Sequence, residues 1–304
     1  MVATAALCAL PAPAQQTPAQ EAADAAYDAL PDTPGTGPYR AERFVDPGLP
    51  DHVIYRPVAL GKAKLGVLVW GNGGCSDDGA SARQHLAEIA SHGYVVIAPG
   101  RVLSGPGAPP RPAKRPPPGP LGIKTTSAQV AAGIDWALAE NARAGSLLFG
   151  RIDRRAIAVS GHSCGGLQAL QVAADPRVSA VIIHNSGVFK DGGNPIRGMT
   201  IAKSALTRLH TPILYVMGGP TDIAWPNGND DFDRITAVPA IIVSLEVGHG
   251  GTFRDMNGGR IAPVDVAWLD WQLRGDVSDG RWFKGKTCRL CTDPAWTVRK
   301  KGID

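Results

Sequence analysis

The chain has 304 residues, of which 44% are hydrophobic and 19% charged, with 37 glycines and 26 prolines and a net charge of +4. That much apolar content excludes an intrinsically disordered chain and suits one large α/β domain with generous loops. No apolar run is long enough to span a bilayer, no nucleic-acid recognition motif accompanies the positive charge, and no internal repeat is visible.

Residues 1–14 hold the apolar stretch Val2–Leu10 followed by Ala12-Pro13-Ala14. This reads as the core and small-residue cleavage site of a secretory signal peptide, so the expected location is secreted or periplasmic. Residues 15–38 form an Ala/Pro/Gln/Thr-rich leader that is expected to be poorly ordered. The domain is then expected over 39–304.

Gly66–Trp70 is an apolar strand that breaks into Gly71-Asn72-Gly73-Gly74-Cys75. Another strand, Tyr94–Ala98, leads into the proline-dense, basic loop from Gly100 to Lys124, expected to be a rigid wall. A helix is predicted over 127–143. The run Arg155–Ser160 is the next strand, and Gly161-His162-Ser163-Cys164-Gly165 connects it to a helix opening at Gly166. Strand Ala180–His184 follows, then a second basic loop from Ser186 to His210. Pro212–Met217 is a buried strand ending just before Asp222, and Ala240–Leu245 ends just before His249. Pro263–Leu273 is the last predicted helix. The tail, 274–304, carries Trp282, Phe283 and Trp296 and is expected to pack back on the domain or to form a homodimer contact. Strands alternating with helices predict a doubly wound, mostly parallel sheet.

The Gly-x-Ser-x-Gly pentapeptide between strand and helix is the context of a nucleophile elbow, which makes Ser163 the candidate nucleophile. A serine hydroxyl needs a base, and a base needs an orienting acid. His249 and Asp222 each lie just past a strand's carboxyl end, where ligands of such sheets bind. Asp230, Asp231 and Asp233 are rival acids. The other six histidines are worse placed, although His184 is kept as a pocket residue. Backbone donors for an oxyanion are expected at Cys164 and at Asn72 or Gly73. The glycine loop lacks the endings of a phosphate cradle or a dinucleotide fingerprint, so no cofactor is expected.

The chain order Ser, Asp, His and these motifs resemble the α/β-hydrolase superfamily, and within it the dienelactone-hydrolase-like and bacterial polyester-hydrolase (cutinase-like) branch. The resemblance runs from about Val53 to Leu273. It implies a serine hydrolase cleaving an ester or amide bond through an acyl-enzyme in a small or polymeric acyl substrate. That branch typically has an aromatic residue where this chain has Asn72. In general plan the chain also looks like a secreted poly(aspartic acid) hydrolase.

Substrate contacts are expected from Trp70, Trp225, His184 and Lys124. The basic loops carry Arg101, Arg111, Lys114, Arg115 and Lys124 in one, and Lys190, Arg197, Lys203 and Arg208 in the other, with Arg254 and Arg260 after His249. Such a rim would attract an anionic polymer. A short-chain, polyester or feruloyl-type esterase is the alternative, and a binding protein on a hydrolase scaffold is the reading of another class. Leaving out Cys8, four cysteines allow three pairings. Cys75 and Cys164, each beside a proposed oxyanion donor, could bridge and fix that geometry, or could be two small buried hydrophobes. Cys288 and Cys291 could pair in the tail. A Cys-x-x-Cys with no second such pair gives no reason to expect a metal.

Overall fold

In the computed structural model, residues 17–59, 61, 64–111, 121–190 and 193–304 are described. The signal-like segment 1–14, and Lys114 and Arg115 of the first basic loop, lie outside them.

The described residues form a nine-stranded sheet in the order β1-β2-β4-β3-β5-β6-β7-β8-β9. Six neighbouring strands are parallel: β4 (Tyr94–Pro99), β3 (Leu65–Gly71), β5 (Ile152–His162), β6 (Ala180–His184), β7 (Ile213–Met217) and β8 (Ala240–Leu245). Antiparallel strands close both edges: β1 (Ala41–Asp46) and β2 (Leu49–Pro57) beside β4, and β9 (Trp296–Lys301) beside β8.

Side chains alternate across each central strand. Val67, Val69, Ile157, Val159, Val181, Ile183 and Tyr215 face α3 (Ser127–Ala142), α4 (Cys164–Val172) and α5 (Trp225–Arg234). Leu68, Trp70, Ala158, Ile182, Leu214 and Val216 face α2 (Arg83–Ser91) and α6 (Ala262–Arg274). Both faces are covered, which is why these strands read as continuous apolar runs.

The leader departs from expectation. Pro18–Ala29 is a helix, α1, started by Thr17 and Gln20 in a capping box with proline at its first position. Tyr27 is buried between the guanidinium groups of Arg83 and Arg254, 3.9 and 4.7 Å from its ring. Arg83 also donates to the Leu30 carbonyl at 2.9 Å. These cation–π and hydrogen-bond contacts tie a segment of low hydropathy to the domain. The tail packs back through β9 and bridges Cys288 to Cys291. Among the described residues no helix is long and apolar enough to cross a membrane.

Candidate active site

Strand β5 runs straight into α4, and the turn between them is Ser163, held at φ 54°, ψ −122°. That left-handed conformation is strained for a serine, and the neighbours keep it in place. Ser163 N–H donates to the His184 carbonyl at 3.0 Å, and the Ser186 hydroxyl donates to the Ser163 carbonyl at 2.7 Å. Small residues are obligatory around it. A Cβ on Gly165 would lie 2.1 Å from the Gly71 carbonyl carbon, and one on Gly71 would lie 2.4 Å from the Gly165 oxygen. The glycine loop after β3 therefore touches the elbow backbone to backbone.

Ser163 Oγ lies 2.9 Å from His249 Nε2, and His249 Nδ1 lies 2.6 Å from Asp222 Oδ1. The Asp222 side chain is fully buried, while 28% of the His249 side chain is exposed. Burial works to raise the Asp222 carboxyl. The hydrogen bond from His249 and the N–H groups of Ala224 (2.9 Å) and Gly218 (3.2 Å) outweigh it and hold the group below the usual carboxylate range. An ionised Asp222 fixes the proton on Nδ1, leaving Nε2 free to accept from Ser163.

The loop carrying His249 is anchored from two sides. Asn185, a non-glycine residue at φ 44°, donates from Nδ2 to the Gly248 carbonyl at 2.8 Å. His162 Nε2 lies 2.7 Å from the His249 carbonyl, so that nitrogen carries the proton. Burial pushes the His162 pKa down to about 3, and the ring stays neutral.

The glycine loop that holds Asn72 and Gly73 lies against the elbow that holds Cys164. Cys164 opens α4, where a first-turn N–H has no intrahelical acceptor. Asn72 spends its side-chain amide on the Pro99 and Ser76 carbonyls, at 2.6 and 3.0 Å, and so shapes the loop. Gly73 faces the elbow: a Cβ there would lie 2.5 Å from His162 Nδ1. A disulfide joins Cys75 to Cys164 with their Cα atoms 5.2 Å apart, so the loop and the elbow are also covalently linked.

Ser163 and His249 open onto a cavity of about 70 Å³ whose walls include Leu167, Phe189, Ile196 and Ile223, with Asn185 and Asn227 as polar groups. None of the four residues expected to touch substrate lines it. Trp70 and His184 are buried on the opposite face of the sheet, their rings 5.5 Å apart. Trp225 is the first residue of α5 and packs against the core. Lys124 is exposed and lies 3.7 Å from Asp77. Asn185 and Ser186 directly follow β6, so the rule that ligands bind at strand carboxyl ends was the available signal for them; Phe189, Ile196 and Ile223 lie in loops with no such mark.

The rival acids are engaged elsewhere. Asp231 is buried beside Lys203 (2.6 Å), the Val188 N–H (2.7 Å) and the Tyr215 hydroxyl (3.2 Å), and burial pushes its pKa up to about 6. Asp230 pairs with Lys203 and Arg234, and Asp233 with Arg299. Much of the basic rim is neutralised as well. Arg101 pairs with Asp77 at 2.7 Å, Arg254 with Asp24 at 2.6 Å, Arg111 with Asp24 and Asp28, and Arg260 with Asp293 at 2.7 Å. Lys190 and Arg208 line a separate polar hollow.

No protein-family model matches the chain, and no curated protein matches it.

Proposed function

We propose that the protein is an exported serine hydrolase of the α/β-hydrolase type that cleaves carboxylic esters of short acyl chains. The observation that carries this reading is the hydrogen-bonded chain from Ser163 through His249 to buried Asp222, opening on an apolar cavity. Ser163 Oγ attacks the carbonyl carbon as His249 Nε2 takes its proton, and the negative oxygen is received by the N–H groups of Cys164 and Gly73. The intermediate collapses, and His249 returns the proton to the departing alkoxide. Water, deprotonated by the same histidine, then releases the acid from Ser163.

A cavity of about 70 Å³ favours short acyl chains. Apolar walls and a neutralised rim weigh against the anionic-polymer reading. An assembled Ser163, His249 and Asp222 weighs against a binding protein. Export is supported by two disulfides, which persist in oxidising compartments.

Nitrophenyl esters of increasing acyl length test the proposal. We expect kcat/KM to be highest from acetyl to butyryl and to fall at least about tenfold by octanoyl. Opening the cavity with Phe189→Ala should move the optimum to longer chains. Turnover that survives Ser163→Ala, or a flat profile unchanged by Phe189→Ala, would contradict the reading.

A further inference from the structure

Behind the sheet, on the face away from the cavity, three ligand-type side chains meet from three separate elements: His85 on α2, His184 at the end of β6 and Asp265 on α6. All three are completely buried. We propose that they bind a divalent transition-metal cation, with Zn²⁺ the best match to two imidazoles and one carboxylate.

The geometry is that of convergence on a point. His85 Nε2 and His184 Nε2 lie 3.0 and 2.9 Å from the same oxygen, Asp265 Oδ2, and one ligand atom from each residue falls within 4.8 Å of the others. Apart from these two contacts, neither ring nitrogen of either histidine and neither oxygen of Asp265 has a hydrogen-bond partner among the described residues. Two atoms each about 2.1 Å from a shared ion, at roughly 90–110° to one another, stand about 3.0–3.4 Å apart, which is close to the two nitrogen–oxygen separations.

The surroundings add to the case. The Trp70 ring centre lies 5.5 Å from both imidazoles, and the Phe253 ring lies 5.1 Å from His85 and 5.3 Å from His184. In such an apolar enclosure a carboxylate held between two neutral imidazoles is costly, and a cation held by all three groups offsets that cost. The ligands are at positions 85, 184 and 265, so no short spacing motif marks them in the sequence. The ion would be structural. It would pin α2, β6 and α6 together at the strand whose His184 carbonyl receives the Ser163 N–H at 3.0 Å, and it takes no part in the serine chemistry.

The test uses the full chain, unfolded in denaturant with a chelator and refolded with or without Zn²⁺, then passed through gel filtration. We expect about one zinc per chain by elemental analysis and an unfolding midpoint at least about 5 °C above that of the chelated protein. Asp265→Asn should retain less than a fifth of that zinc. Because a buried substitution can impair folding, Co²⁺ loading of the unaltered chain provides an independent readout: visible d–d absorption of a low-symmetry, nitrogen-containing site, removed by stoichiometric Zn²⁺. Unaltered protein that keeps neither Zn²⁺ nor Co²⁺ through gel filtration, with the same unfolding midpoint in metal and in chelator, would overturn the proposal.

Discussion

Replacing Asp222 by Asn should lower kcat on a simple ester by about 10⁴ while leaving KM and the fold nearly unchanged. The carboxylate accepts from His249 Nδ1, from Ala224 N–H and from Gly218 N–H, so all its hydrogen bonds come from donors. An asparagine can occupy the same space, but it has only one oxygen for three donors. Asp222 Oδ1 receives His249 Nδ1 and the Ala224 N–H, and Oδ2 receives the Gly218 N–H. With the amide oxygen in the Oδ2 place, the NH2 group stands against Nδ1 and donates to it, so the imidazole must move its proton to Nε2. In that tautomer the ring cannot accept from Ser163. Steady-state kinetics with a thermal unfolding curve separates this from a structural defect. A variant with an unchanged midpoint and a lost kcat supports the tautomer account, whereas full kcat would remove Asp222 from the mechanism.

The second large effect concerns the two disulfides, which should differ in their contribution. Cys75 and Cys164 are 89 residues apart in sequence, and Cys288 and Cys291 are 3 apart. By loop-closure entropy the first bridge constrains the unfolded chain by about 4.5 kcal/mol and the second by about 2 kcal/mol. Serine at both Cys75 and Cys164 should therefore lower stability in denaturant titrations far more than serine at both tail cysteines. It should also reduce kcat, because the bridge holds the glycine loop against the turn that carries Ser163. Both sulfur-bearing residues of the first bridge are buried, so reductant should break it only when the protein opens. Equal losses for the two double variants, with kcat intact in both, would contradict this account.

The central strands were legible because both sheet faces are covered, which makes runs such as Val67–Trp70 and Ile213–Met217 apolar throughout. The edges were not. Strand β9 ends Arg299-Lys300-Lys301, and charge at an open edge hides a strand while protecting it from aggregation. Helix α1 was illegible for a different reason: its composition is that of a linker, and what orders it is Tyr27 between two arginines distant in sequence. The same helix supplies Asp24 and Asp28, the carboxylates that neutralise Arg111 and Arg254. Local sequence therefore overstated the positive field.

Ser163, Asp222 and His249 were legible because each sits just past a strand's carboxyl end. The same rule misplaced Trp70 and His184, which share that end of the sheet but face the other way. Strand parity decides this: Trp70 follows Leu68 onto the α2 and α6 side, while the cavity beside Ser163 is walled from the α4 side by Leu167.

Whether Ser163 is an activated nucleophile is read most directly by mass spectrometry of the protein after reaction with a fluorophosphonate, which traps only an activated serine. We expect one adduct per chain, on the peptide containing Ser163, absent in Ser163→Ala and formed at least about 10³-fold more slowly in His249→Ala. A folded protein that takes no adduct, or takes it on a different residue, would contradict that expectation.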